Sequence, residues 1–147
     1  MGFRVELKVK LLREGARAPS RATPGSTGLD LYACIEGDGV IELGVDVTLV
    51  PTGIALEVPA GYDVQVRPRS GLGRQGVNVV YGTIDADYRG EILVSMYTFG
   101  SRTSYRVQHG DRIAQLVVSR VEDVEVTLVE ALGESERDRS GHGSTGR

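Results

Sequence analysis

Apolar and polar residues alternate from Phe3 to Leu11. Val5, Leu7, Val9 and Leu11 share one side; Arg4, Glu6, Lys8 and Lys10 share the other. A period of two puts successive side chains on opposite faces of an extended chain, so the segment predicts a half-buried β-strand. Shorter runs with the same signature lie at 29–34, 45–50, 53–58, 62–67, 77–80, 92–99, 105–108, 113–118 and 124–129, with Gly, Pro and Asp in the gaps. Many short strands at this spacing predict an all-β sandwich or barrel. No convincing amphipathic helix is present, and residues 72–75 predict at most one helical turn.

Two segments break the pattern. One is Arg67-Pro68-Arg69-Ser70-Gly71-Leu72-Gly73-Arg74. The other is 133–147, which has almost no apolar residues and ends in the Gly- and Ser-rich run SGHGSTGR. Such a composition cannot bury enough apolar surface to hold itself in place, so a flexible tail is expected. The expected organisation is one domain over 1–147, with a β core over 1–132 and a tail over 133–147.

Length agrees with a single domain: 147 residues bury roughly 70% of their extended surface without needing staples. A lone Cys34 excludes an internal disulfide and a cysteine-rich zinc site, and two histidines, His109 and His142, are too few for a histidine metal cage. The start MGFRVELKVK has no apolar signal region, and no apolar run approaches the ~18 residues of a membrane span. A cytoplasmic protein with no membrane partner is therefore expected. The net charge of −3 argues against a general nucleic-acid binder. Of the 17 basic residues only Lys8 and Lys10 are lysines, leaving 15 arginines. Arginine suits planar, two-point pairing with carboxylate or phosphate.

Three places carry groups that suit chemistry. In Gly82-Thr83-Ile84-Asp85-Ala86-Asp87-Tyr88-Arg89-Gly90-Glu91, between two strand patterns, a hairpin is the simplest geometry. Asp87 suits a turn-former bonding its own backbone. Asp85 is either a second such residue or a catalytic carboxylate. In Arg69-Ser70-Gly71, arginine offers charge and a fork of donors, serine a hydroxyl, and glycine close backbone approach; a phosphate site and a plain surface turn both fit. In Gly110-Asp111-Arg112-Ile113-Ala114-Gln115-Leu116-Val117-Val118, Asp111 and Arg112 read as a possible surface pair. Gln115 interrupts an apolar run, which a polar ligand or an outward-facing position would explain.

Taken in order, five segments resemble the five motifs of the trimeric deoxyuridine triphosphate nucleotidohydrolases, the dUTPases. They are STGLDLYAC (26–34), PRSGLG (68–73), GTIDADYRGE (82–91), GDRIAQLVV (110–118) and SGHGSTG (140–146). The resemblance covers nearly the whole chain, and its third and fourth motifs are the most specific. It implies a jelly-roll-like β fold and a homotrimer with three active sites at subunit interfaces. It implies Mg2+-assisted hydrolysis of dUTP to dUMP and pyrophosphate, which limits uracil in DNA and supplies dUMP. By position, Asp85 matches the carboxylate that activates a water against the α-phosphorus. Tyr88 matches the aromatic that packs on deoxyribose and leaves no room for a 2′-hydroxyl. Arg69, Ser70, Gly71 and Gln115 match phosphate-binding positions. Asp30 matches a carboxylate that helps hold the magnesium hydration shell. Arg137 matches a tail arginine reaching the γ-phosphate, and Gly143, Ser144 and Thr145 fall among the tail's phosphate contacts.

Some positions depart from the family pattern. Arg137 is followed by Asp138, Arg139 and Ser140 where glycine is usual, His142 stands where Phe is common, and Val79 stands where many members carry Asn. A neutral imidazole at His142 can still stack on uracil. Recognition of the base is then expected from the main chain of 79–84, Val79, Thr83 and Ile84 included, with Leu93 on the return strand. The related dCTP deaminases follow their Arg-Ser with a second Ser; Gly71 here favours the hydrolase. A purely regulatory binding protein is the other alternative, disfavoured by the presence together of Asp85, Tyr88, Ser70 and Gln115.

Overall fold

The structure is a computed structural model, described here over residues 4–137. The described residues form ten strands: β1 (Lys8–Leu11), β2 (Leu29–Tyr32), β3 (Val40–Leu43), β4 (Thr48–Glu57), β5 (Tyr62–Arg67), β6 (Val77–Val79), β7 (Gly82–Ile84), β8 (Glu91–Thr98), β9 (Tyr105–Gln108) and β10 (Arg112–Arg120). The single helix among the described residues is α1 (Ser70–Arg74). It is one turn long, as expected, but begins two residues before the predicted 72–75.

Two four-stranded antiparallel sheets face each other, in the orders β1-β4-β8-β6 and β2-β10-β5-β7, with a β3-β9 ribbon beside them. The inward faces meet in a core that includes Val50, Ile54, Val94 and Met96 from the first sheet, Leu31, Val64 and Leu116 from the second, and Leu43 and Val107 from the ribbon. Each such side chain contributes about 1.5–3 kcal/mol through burial. The predicted all-β sandwich is what forms.

Five local expectations need correction. Residues 45–50 and 53–58 do not form two strands; 48–57 run as one, β4. Pro51 and Gly53 looked like a break, yet they sit at a bulge where the pairing with β8 shifts register between Pro51 and Ala55. Gly53 has φ +71°, and a Cβ there would lie 2.8 Å from the Ala16 side chain and 2.9 Å from Cys34 Sγ, so only glycine fits. Strand β3 was not predicted; its short VIEL run is ordered by pairing with β9. Of the described residues 4–11 only Lys8–Leu11 is strand, and it lies at a sheet edge with Val5 and Leu11 exposed.

Residues 124–129 alternate as predicted but pair with no strand among the described residues. Val124, Val126, Leu128 and Val129 are all exposed, Leu128 at 94%. Lastly, 82–91 is not a hairpin. β7 pairs with β5 in the second sheet, whereas β8 pairs with β4 and β6 in the first. The turn between them therefore carries the chain from one sheet to the other.

Candidate active site

Strand register builds one half of the site. Asp30 on β2 lies opposite Gln115 on β10, which lies opposite Arg67 on β5. Opposed residues point to the same face, and alternation along β5 adds Gln65, which opposes Thr83 on β7. One face of this sheet thus carries a polar row from Asp30 to Thr83, while Leu31, Leu116, Val64, Val66 and Ile84 on the other face enter the core. Gln115 interrupts the apolar run because it faces outward.

Two guanidinium groups flank Asp30, which is 8% exposed. Arg69 Nε lies 3.5 Å from Asp30 Oδ1, and Arg112 Nη1 lies 3.7 Å from Asp30 Oδ2. Arg69 Nη1 also donates to the Arg112 carbonyl at 3.3 Å. The Gln115 side chain donates to the Pro68 carbonyl at 3.0 Å, fixing the carboxamide beside the Arg69-Ser70-Gly71 turn. Arg69 caps α1 in an extended conformation, and Ser70, its first residue, is exposed. A Cβ placed on Gly71 would meet nothing within 4 Å, so the space above this backbone is open. Asp30, Arg69, Ser70, Gly71 and Gln115 therefore come together. Arg112 does not pair with Asp111; Asp111 instead accepts a hydrogen bond from the Gln108 N–H at 2.8 Å.

The other half lies where the chain crosses between sheets. Thr83, Ile84, Asp85, Tyr88 and Leu93 line a cleft of about 290 Å³, with Val66, Val80, Tyr81, Glu91 and Ser95 among its other walls. That is near the lower size of small-molecule pockets. Asp85 is exposed, and its carboxylate has no hydrogen bond or ion pair among the described residues. Its main-chain carbonyl closes the turn by accepting from the Tyr88 N–H at 3.1 Å. Arg89 Nη1 donates to the carbonyls of Ala86 and Tyr88, so this arginine braces the turn. The Val79 side chain is 2% exposed and belongs to the core, leaving only its main chain for recognition. The Asp85 cleft includes none of Asp30, Arg69, Ser70 or Gln115. Arg137 is exposed at the end of the described residues, and His142, Gly143, Ser144 and Thr145 lie outside them.

Two groupings at the site escaped sequence reading. Gly28 packs against the Gln115 side chain, a contact foreshadowed only by its place two residues before Asp30. Arg13 clamps Glu91 with Nη1 to Oε1 at 3.1 Å and Nη2 to Oε2 at 2.7 Å, while the Gly53 N–H donates to Oε2 at 2.9 Å. The Arg13 hydrogen bonds hold the Glu91 carboxyl below the usual carboxylate range; burial opposes this and the Gly53 N–H adds to it. Seventy-eight residues separate the partners, so no local pattern marks them.

A family model described as dUTPase matches residues 14–146. The chain belongs to the dUTPase family. Membership makes it an enzyme of the dUTP diphosphatase class. It is 47% identical to the deoxyuridine 5'-triphosphate nucleotidohydrolase of Syntrophotalea carbinolica over 97% of each chain. It is 48% identical to that of Anaplasma marginale over 95% of this chain and 99% of the relative. The dUTPase of Staphylococcus bacteriophage 80alpha, solved with dUpNHpp, superposes with a TM-score of 0.83 at 27% identity, covering 97% of this chain and 99% of the other. The two facing sheets are the jelly-roll-like fold of this family. Among the described residues, no helix is long and apolar enough to cross a membrane.

Proposed function

We propose that this dUTPase hydrolyses dUTP to dUMP and pyrophosphate, with Asp85 activating the attacking water. The observation that carries the reading is an exposed, unpaired Asp85 carboxylate on the rim of the cleft that Tyr88 also lines. An unpaired carboxylate in that place is free to hold and deprotonate a water, a role worth roughly 10²–10⁴-fold. The water oxygen bonds to the α-phosphorus, the bond to the bridging oxygen breaks, the proton passes to Asp85, and pyrophosphate departs. Tyr88 packs on the deoxyribose. The main chain of 79–84 reads the base, beside Leu93.

Arg69, Ser70, Gly71 and Gln115 hold phosphate oxygens, and arginine and amide donors aimed there stabilise the charge that develops. Arg137 and the tail residues His142, Gly143, Ser144 and Thr145 complete the enclosure.

No group of three or more potential metal ligands occurs among the described residues, and the Asp30 carboxylate already faces two guanidiniums. This donor set fits Mg2+ arriving with the triphosphate and touching Asp30 through water, since Mg2+ keeps most of its waters and favours one or two carboxylates plus substrate phosphates. When bound, the ion offsets phosphate charge.

A homotrimer with its sites at subunit interfaces is part of the same reading. Two observations support it: Asp85 and Arg69 line separate recesses, and the apolar side chains of 121–132 stand in solvent. Apolar area of that kind is what a neighbouring copy covers.

The test is pyrophosphate release compared across dUTP, dTTP, dCTP and UTP. A strong preference for dUTP is expected; ammonia released from dCTP would overturn the substrate assignment.

A further inference from the structure

Tyr88 is 45% exposed, yet the hydroxyl end of its ring is held by two contacts. The phenol donates to the Glu91 carbonyl at 2.9 Å. The ring lies over Gly90 so closely that a Cβ there would sit 2.5 Å from the phenol oxygen and 2.7 Å from Cζ. Glu91 is fixed in turn by Arg13 and the Gly53 N–H. A surface tyrosine ordinarily swings among rotamers. This one is tied to the body of the protein through a main-chain carbonyl whose own side chain is clamped.

We propose that Gly90 and the Arg13–Glu91 pair are positioning residues that fix the Tyr88 ring and so set the preference for 2′-deoxyribose over ribose. The inference rests on Tyr88 packing against the sugar. A hydroxyl is excluded by steric contact only if the excluding ring cannot retreat. A ring free to swing aside leaves room for the extra oxygen. The atoms that a Cβ at Gly90 would strike are the far end of the Tyr88 side chain, so the ring moves and the turn keeps its shape.

The test measures kcat/KM for dUTP and for UTP in the full chain and in five variants. Gly90→Ala is expected to lower the dUTP-to-UTP ratio at least tenfold. Tyr88→Phe removes the hydrogen bond to Glu91 and is expected to lower it several-fold. Arg13→Lys keeps charge but loses the two-point fork and is expected to retain more discrimination than Glu91→Gln. Tyr88→Ala is the reference for the sugar reading. If it lowers the ratio while Gly90→Ala and Tyr88→Phe leave it within twofold of the parent, the positioning inference is overturned and the sugar reading stands. If Tyr88→Ala leaves the ratio unchanged, both are overturned. Should Gly90→Ala not fold, Tyr88→Phe, which removes one oxygen, decides alone. A purely structural role for the clamp would lower rates on both nucleotides together and leave the ratio in place.

Discussion

The Gln115 side chain lies against the α-carbon of Gly28, and a methyl group at position 28 would sit 2.3 Å from its Oε1. Gly28 is buried and has no left-handed backbone requirement, so Gly28→Ala leaves the fold intact and moves the carboxamide. We expect kcat/KM for dUTP to fall about 10–100-fold, or roughly 1.4–2.7 kcal/mol of transition-state stabilisation. Steady-state kinetics beside a melting curve checks this. Unaltered kinetics would remove Gln115 from the phosphate contacts.

Asp85→Asn keeps the shape of the side chain and removes its basicity. Turnover is expected to fall by about 10²–10⁴ while dUTP still binds. Calorimetric titration with a non-hydrolysable analogue, paired with single-turnover rates, separates the two effects. Near-normal turnover would assign the base elsewhere.

Glu91→Gln tests the clamp by its pH signature. The Glu91 carboxyl is depressed chiefly by hydrogen bonds from Arg13, so its contribution is present above the unfolded glutamate value, about 4.3, and disappears as pH falls through the lower folded value. The variant should be less stable by about 1–3 kcal/mol at pH 7, with the deficit shrinking below about pH 4. Denaturant titrations at several pH values follow it; a deficit independent of pH contradicts the account.

Deleting 133–147 removes no buried side chain among the described residues 133–137. The truncated chain should melt within about 3 °C of the parent and hydrolyse dUTP poorly. Unfolding of the truncated chain would make the tail structural.

Leu128→Asp places a charge where the proposed neighbouring copy would cover an apolar side chain. Light scattering after size exclusion should show the proposed trimer for the parent and smaller species for the variant. A fully retained trimer would mean that 121–132 is not part of the contact.

Much of this fold could be read from alternation alone, because strands with one buried face write their geometry into the sequence. β2, β5, β9 and β10 fell close to their predicted places. What stayed hidden depended on distant partners. β3, Val-Ile-Glu-Leu, opens on two adjacent apolar residues rather than an alternation and owes its order to β9. Pro51 and Gly53 are breakers in isolation but form a tolerated bulge beside β8. Residues 124–129 carry a true strand pattern that nothing among the described residues answers. At the site, Asp85 and Tyr88 were visible by motif, yet the crossing between sheets was not, because β7 takes its partner from β5. Arg13 gave no local signal at all.

The polar row from Asp30 through Gln115 to Arg67 shares its strands with the apolar face beneath. If β10 slipped by one residue, Gln115 would turn into the core and Leu116 into water. A molecule with this row turned inward but an intact body is therefore not one of the states open to this chain. One-residue errors of register are converted into failures of folding, where chaperones and proteases can remove them, and a molecule that escapes them has its polar row facing outward.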